Sequence, residues 1–196
     1  MSNTRDYIID QAYSLFLSHS YEAVSISEIS KAIGFTKGAL YHHFKNKEEL
    51  FMAVIDKYLI IEELDINADE ITLKEFLDLN IKKAQEIINK SYSSNPAYIP
   101  LNLLSLFIDA FRHYPEFANK KQDLIHSEIN KTKRILDLAV KNGEIKKDLN
   151  TSAFAEIIFT LNTGVARNLI HNIMDSETAI KIMRKQFHEL YKLIKT

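Results

Sequence analysis

The 196-residue chain has no cysteine and no tryptophan, and only three prolines and four glycines. The lack of cysteine removes disulfide frameworks, thiolate metal sites and cysteine nucleophiles in one step, and fits a reducing compartment. The scarcity of glycine and proline argues against sandwiches and barrels, which need many tight turns. Long apolar runs are missing too. The most apolar stretch, Ile99 to Phe111, is interrupted by Asn102, Ser105 and Asp109 and falls far short of the ~20 residues of a membrane span. Met1 to Asp6 lack the apolar region of a secretion signal. No sign of charge dominates: 25 basic and 26 acidic residues leave a net charge of −1, so any grip on nucleic acid must come from a local patch. What is present is a globular composition, 46% hydrophobic and 26% charged, and the expectation is a cytoplasmic protein with no membrane attachment.

The periodicity is helical almost throughout, which predicts an all-α fold of about nine helices. Ile8, Ala12, Leu15, Phe16 and His19 recur at three/four spacing and define a helix over Arg5–Ser18. Ser25-x-x-Glu28 is a capping box with Val24 and Ile29 as its staple, and opens a short helix, Ile26–Ile33. Gly34 follows where a tight turn needs positive φ. Thr36, stapled by Phe35 and Leu40, caps Lys37–Phe44. Asn46-x-x-Glu49 opens a helix running to about Leu64, and Thr72-x-x-Glu75 opens another ending near Lys90. Ser91–Pro100 reads as a loop, Leu101–His113 as a helix. Pro115 fits the first position of a long helix that Gly143 terminates. Asn150 or Thr151 starts a helix to about His171, and Asp175 or Ser176 starts the last, ending near Ile194. The helices are short at first and long afterwards. That predicts a domain at 1–47 with a helix-turn-helix at about 26–45, and a second at 48–196 reached through a linking helix, 47–64.

Charge is uneven along the chain. Residues Ile29–Lys47 carry Lys31, Lys37, Lys45 and Lys47 and no acid. The first 57 residues as a whole hold six basic and seven acidic side chains, so the positive charge is focused on the short second helix pair. A basic run alone is as often a solvated surface. The spacing adds weight. Leu40 and Phe44 face inward, whereas Lys37 and Tyr41 share the outer face, flanked by Gly38 and His42. A short helix with a basic, aromatic outer face behind a tight turn is a helix-turn-helix, whose second helix can enter the ~12 Å major groove. There Gly38 lets the backbone approach closely, Tyr41 offers a hydroxyl and a ring edge, and Lys47 can reach a phosphate.

The stretch Ile33-Gly-Phe-Thr-Lys-Gly-Ala-Leu-Tyr-His-His-Phe-Lys-Asn-Lys-Glu-Glu-Leu50 resembles the DNA-binding signature of TetR-type transcriptional regulators. The likeness extends upstream through Ala12, Phe16, Ser25 and Ile29, covering roughly residues 5–55. It implies that Lys37, Gly38 and Tyr41 face the groove. It implies too that Thr36, Tyr41, His42, His43 and Lys47 contact or position the DNA backbone, and that Ser25 and Ser27 touch DNA from the preceding helix. Ser20 stands where the family usually has glycine, and Ser30 replaces a small apolar residue.

The C-terminal half resembles the family only in layout. Its last helix carries Ile180, Met183, Phe187, Leu190 and Ile194, and the one before carries Phe154, Ile157, Ile158, Leu161, Val165, Leu169 and Ile170. These stripes are wider than one packed face requires, and Gly164 would let another helix cross closely. Their apolar residues are therefore expected to form a homodimer interface, which a reader of palindromic DNA needs. Aromatic residues in the middle helices, among them Phe76, Tyr92, Tyr98, Phe107, Phe111, Tyr114 and Phe117, could line a pocket. The resemblance implies a small-molecule effector in this region, with Phe76, Phe107 and Phe111 as candidates.

Enzyme signatures are missing: there is no P-loop, no dinucleotide glycine turn and no HExxH. A di-iron bundle would need paired Glu-x-x-His motifs, and only Asp123-Leu-Ile-His126 comes near. His42 and His43 diverge by ~100° on a helix and do not share an ion easily. The expectation is thus neither an enzyme nor a metal or cofactor protein. It is a repressor that binds double-stranded operator DNA as a homodimer and responds to a small molecule. The alternative is a helical homodimeric protein-interaction module without an effector.

Overall fold

The computed structural model describes residues 4–60, 66–94, 100–170 and 175–196. Nine α-helices run through them: α1 (Thr4–Ser18), α2 (Ile26–Ile33), α3 (Lys37–His43), α4 (Lys47–Tyr58), α5 (Leu73–Ser94), α6 (Pro100–His113), α7 (Phe117–Lys141), α8 (Thr151–Ile170) and α9 (Ser176–Ile194). A 3-10 turn at Ala68–Glu70 precedes α5 and has no counterpart in the hydrophobic pattern. Among the described residues no helix is long and apolar enough to cross a membrane. The chain forms two compact units, Met1–Glu62 with Asn95–Lys121, and Glu63–Ser94 with Gln122–Thr196.

In the first unit α1 is the central rod. Ile8, Ala12 and Phe16 on one face are buried, and they meet Leu50, Phe51, Val54 and Ile55 of α4 and Leu106 and Ala110 of α6. Ile29, Ile33, Leu40 and Phe44 close the other side of the same core. Phe51 meets Phe16 edge-on at 5.0 Å, the arrangement the ring quadrupoles favour. The helix-turn-helix elements thus share one hydrophobic core with α4 and α6 instead of forming a module that ends at residue 47.

Three predicted boundaries move. The linking helix ends at Tyr58, not near Leu64: Ile60 N–H reaches back to the Ile55 carbonyl, and the Lys121 ammonium takes the Leu59 carbonyl at 3.3 Å. Residues 61–65 lie outside the described residues. The α5 helix continues through Ser94, because nothing before Pro96 breaks it. Pro115 does not start α7. It occupies a turn closed by Phe117 N–H on the Tyr114 carbonyl at 3.0 Å, with proline in the second position where its fixed φ suits a β-turn. The remainder of the predicted Ser91–Pro100 loop, and Tyr92 and Tyr98 as pocket residues, fall on or among residues whose side chains are not described; Pro100 itself opens α6.

The second unit is built on α5, α8 and α9 with the C-terminal part of α7. Its core includes Leu73, Phe76, Leu77 and Ile81 of α5, Ile135 and Leu136 of α7, Ala155 and Ile158 of α8, and Met183 and Phe187 of α9. Gly143, at φ 73°, turns the chain out of α7. The Glu144 carboxylate then accepts the Leu73 and Lys74 N–H groups at 3.0 and 3.1 Å, satisfying orphan donors at the start of α5. Thr72 and Glu75 cap the same end reciprocally, as the sequence predicts. The C-terminus is pinned to this turn by Lys146 N–H on the Ile194 carbonyl at 2.9 Å.

The predicted dimer stripe is largely spent inside the chain. Ile158, Val165, Ile180, Met183 and Phe187 are buried in the core of this unit, and Phe154, Leu161 and Leu190 pack partly against it. An apolar stripe three and four apart is equally the signature of a helix seated on its own neighbours. Of the residues the wide stripe predicted on α8, Ile157 does face outward at 41% exposure, as does Gly164, and on α9 Leu193 is 68% exposed. Leu169 and Ile170 are among the residues whose side chains are not described.

Candidate nucleic-acid interface

The α2–α3 pair is defined by its caps. Ser25 Oγ accepts the Glu28 N–H at 3.2 Å, and the Glu28 carboxylate accepts the Ser25 N–H at 2.7 Å. These bonds, the Ser25 contacts first among them, hold the Glu28 carboxyl below its ordinary value. Gly34 adopts φ 71°, and the next amide, Phe35 N–H, reaches the Ser30 carbonyl at 3.0 Å. Thr36 Oγ1 then accepts the Ala39 N–H at 3.1 Å to start α3. Ser30, the departure from the family pattern, is buried, and its hydroxyl donates to the Ile26 carbonyl at 2.8 Å. The polar atom is thereby satisfied by its own helix.

With the turn fixed, α3 can face only one way. Leu40 and Phe44 are buried, and Arg5 of α1 lies over the Phe44 ring at 4.7 Å. Lys37, Gly38, Tyr41 and His42 are exposed on the opposite side, with Tyr41 51% exposed, and His43 is half-buried at the edge. Ser25, Ser27 and Thr36 are also at the surface, so the structure brings all but one of the expected DNA-facing residues to one accessible region. Lys31, Lys37 and Lys45 form no ion pair among the described residues. A Cβ built at Gly38 meets nothing closer than Thr36 Oγ1 at 3.9 Å. The fold itself does not require glycine there, although glycine within a helix costs about 0.5–1 kcal/mol relative to alanine.

Lys47 is the exception. Its ammonium does not point outward; it donates to the Tyr21 carbonyl at 2.9 Å and lies 3.9 Å over the Tyr21 ring. The expected phosphate contact is replaced by a bond that closes the α1–α2 turn, and the half-buried position favours that bond over a solvated charge. The same turn is held from the other side by α6. Asp109, 6% exposed, accepts the Tyr21 N–H at 2.8 Å, and His113 stacks on the Tyr21 ring at 4.2 Å while facing Glu22 at 3.5 Å. Burial pushes the Tyr21 hydroxyl up from its ordinary pKa, with Glu48 and Glu22 adding to the shift. Sequence reasoning misses this clamp. The one available signal is Asp109 itself, an acid inside an otherwise apolar helical stretch.

A second network joins α1 to the end of α4. Tyr13 and Tyr58 stack at 3.7 Å, and Tyr58 donates to Asp10 at 2.7 Å while Lys57 pairs with the same carboxylate. Nearby, Asp56 accepts from Tyr114 at 3.0 Å and from Lys120 at 2.9 Å.

The expected effector residues are divided between the two units. Phe76 is in the core of the second unit, whereas Phe107 and Phe111 belong to the first and pack around Phe117 at 6.1 and 4.9 Å. Phe111 is 59% exposed. No group of three or more metal-binding side chains occurs among the described residues.

This geometry is matched by known proteins. Residues 8–54 correspond to the family of bacterial regulatory proteins named for tetR. The chain is similar to the A-factor receptor protein of Streptomyces griseus, with 26% identity over 95% of this chain and 60% of that one. It is similar also to the transcriptional repressor ComR of Escherichia coli, with 46% identity over 28% of this chain and 26% of the relative. The matches thus span less than two thirds of either relative's length. The fold is shared with MexZ, a repressor responsible for antibiotic resistance in Pseudomonas aeruginosa, at a TM-score of 0.68 and 21% identity, covering 95% and 94% of the two chains. Residues 8–54 thus carry the helix-turn-helix region of the tetR family of bacterial regulatory proteins, and the fold of the chain is that of the solved TetR-type regulators.

Proposed function

We propose that this regulator is a ligand-responsive repressor that binds a palindromic operator as a homodimer in the cytoplasm and leaves it when a small molecule binds. The observation that carries this reading is the outer face of α3: exposed Lys37, Gly38, Tyr41 and His42 on a helix whose orientation is locked by Leu40, Phe44 and the Gly34 turn. Lys37 and Tyr41 read base edges, and Ser25, Ser27, Thr36, His42, His43 and Lys45 position the backbone. Lys47 acts one step back, by holding the turn that sets the angle of α2. Repression follows from a dimer blocking polymerase, and ComR and MexZ are described as repressors.

Dimerisation uses the outward side of α8 and α9, with Ile157, Gly164 and Leu193 at its centre and Phe154, Leu161 and Leu190 at its edge. What supports this is that Ile157 and Leu193 are exposed, that Phe154, Leu161 and Leu190 are only partly buried against the chain's own core, and that a Cβ at Gly164 meets nothing within 4 Å. Effector release works by changing the separation of two reading heads that must sit about 34–36 Å apart. About 100-fold coupling, or ~2.7 kcal/mol, suffices.

Gel-shift titrations against operator fragments at several salt concentrations test the reading. Affinity should fall as salt rises, by about 0.9 log units per log unit of salt for each phosphate neutralised. Affinity independent of salt overturns it.

A further inference from the structure

The second unit contains a groove between α5 and α9, about 460 Å³ in volume, within the about 300–1,000 Å³ range of small-molecule sites. Its floor is apolar: Leu77 and Ile81 from α5 and Phe187 from α9. Its walls are cationic. Lys181, Arg184, Lys185 and His188 fall at three/four spacing along one side of α9, and Lys74 faces them from α5. Asp78 is the single acid in the lining.

An ordinary solvated helix face interleaves its charges so that they neutralise each other. On α9 this happens in part: the wall residue Lys181 pairs with Glu177 at 2.7 Å and, outside the groove, Lys192 pairs with Glu189 at 3.2 Å. Lys74, Arg184 and Lys185 form no ion pair among the described residues. The Glu144 carboxylate, which could have served them, is held by the Leu73 and Lys74 amides and by the Tyr191 hydroxyl at 3.2 Å. The groove therefore joins three unpaired cations, Lys74, Arg184 and Lys185, to an apolar floor. Electrostatic complementarity and the need to cover the floor select the same occupant, a molecule with one anionic end and one apolar end.

We propose that this groove binds a small anionic amphiphile, an aliphatic chain ending in a carboxylate, with the head on Lys74, Arg184 and Lys185 and the chain over Leu77, Ile81 and Phe187. The binding stands independently of DNA; its meaning as effector recognition rests on the repressor reading above.

The test is calorimetry of the full chain with dodecanoate below its micellar concentration. Dodecanol and acetate serve as probes that keep only the tail or only the charge, and phosphatidylglycerol vesicles test for a membrane surface. Dodecanoate should bind at least tenfold more tightly than either partial probe. Arg184→Ala/Lys185→Ala, with unchanged helicity, should lose about tenfold in dodecanoate affinity, while Lys147→Ala, which removes one charge outside the groove, should lose none. Equal binding of dodecanol, equal binding of acetate, no binding, or dodecanoate affinity indifferent to Arg184→Ala/Lys185→Ala each overturns the proposal. Capture by vesicles without binding of free dodecanoate overturns it in favour of a membrane surface. A separate gel shift with dodecanoate keeps the two readings apart: charge-dependent binding with operator affinity unchanged upholds the groove and removes its effector role.

Discussion

The two units are built from the same kind of helix, yet they spend their polar groups differently. In the first, buried or half-buried polar side chains tie elements far apart in sequence: Asp109 to Tyr21, Lys47 to Tyr21, Tyr58 to Asp10, and Tyr114 to Asp56. In the second, many of the hydrogen-bonded side chains cap helix ends, as at Thr72–Glu75, Asn150 and Asp175, beside links between elements such as Arg134 to Asp69 and Tyr191 to Glu144, and Arg184 and Lys185 of α9 form no ion pair among the described residues. Directional bonds between elements fix angles, whereas apolar packing with capped ends fixes only adjacency. A unit that must present α3 at a defined angle has use for the first arrangement.

Core truncation should break the comparison most forcefully. Phe51→Ala and Phe187→Ala each remove a buried ring and should cost about 3–5 kcal/mol. Hydrogen exchange should show the loss concentrated in the unit that carries the substitution. Because Phe187 is a core residue, Phe187→Glu should unfold the second unit, whereas Ile157→Glu and Leu193→Glu should give folded monomers by circular dichroism and sedimentation. Folded monomers of Phe187→Glu would return the interface to the inner stripe.

Removing the clamp should act on the first unit alone. Asp109→Ala leaves the Tyr21 N–H without its acceptor and should cost about 1–3 kcal/mol, with weaker operator binding because the α1–α2 turn loosens. Lys47→Ala should lower thermal stability by about 1 kcal/mol while leaving the salt slope of DNA binding nearly unchanged. Lys37→Ala should do the reverse, leaving stability intact and costing about 1–3 kcal/mol at one base position in each half-site. A flattened slope with unchanged melting for Lys47→Ala would show that its ammonium leaves Tyr21 for a phosphate.

Two glycines sharpen the contrast by opposite signs in one protein. Gly38 and Gly164 have room for a methyl group within the chain, so Gly38→Ala and Gly164→Ala should each stabilise the free protein by about 0.5–1 kcal/mol. Gly38→Ala should nevertheless weaken operator binding, and Gly164→Ala should weaken the dimer by sedimentation. Stabilisation with neither loss would mean that nothing approaches these backbones.

The smallest effects should come from pH. Burial pushes the Tyr21, Tyr58 and Tyr114 hydroxyls above their ordinary 10.0, with Asp10 adding to the shift at Tyr58. In the second unit only Tyr191 among the described tyrosines is raised. Raised values stabilise below pH 10 and lose that stability as the unfolded chain ionises above it, so alkali should loosen the first unit first. On the acid side the lowered groups are mostly in the second unit: Glu75 beside Thr72, Asp137 beside Lys133 and Asp175 on the Thr178 amide, against Glu28 in the first. Depressed carboxylates stabilise above their unfolded values and lose this as pH falls through about 4. Hydrogen exchange at both extremes should show the order reversing.

What the sequence determined by itself is local. Ser25, Gly34, Thr36, Asn46 and Asp175 announce their caps and turn because each acts on backbone within three or four residues, and the helix ends they control were legible to within a residue. The outward face of α3 was legible for the same reason, since Leu40 and Phe44 fix the helix phase. Only the tertiary structure decided where Lys47 and Asp109 point, because their partner, Tyr21, is 26 and 88 residues away and no periodicity encodes such a distance. It also decided which apolar stripe is core and which is free. Hydrophobic spacing states that a face is buried, and identical spacing serves a neighbour in the same chain or in another. The α5–α9 groove stands on the same footing: α9 supplies its cations at helical spacing, but Lys74 and its apolar floor join them only when two segments a hundred residues apart pack side by side.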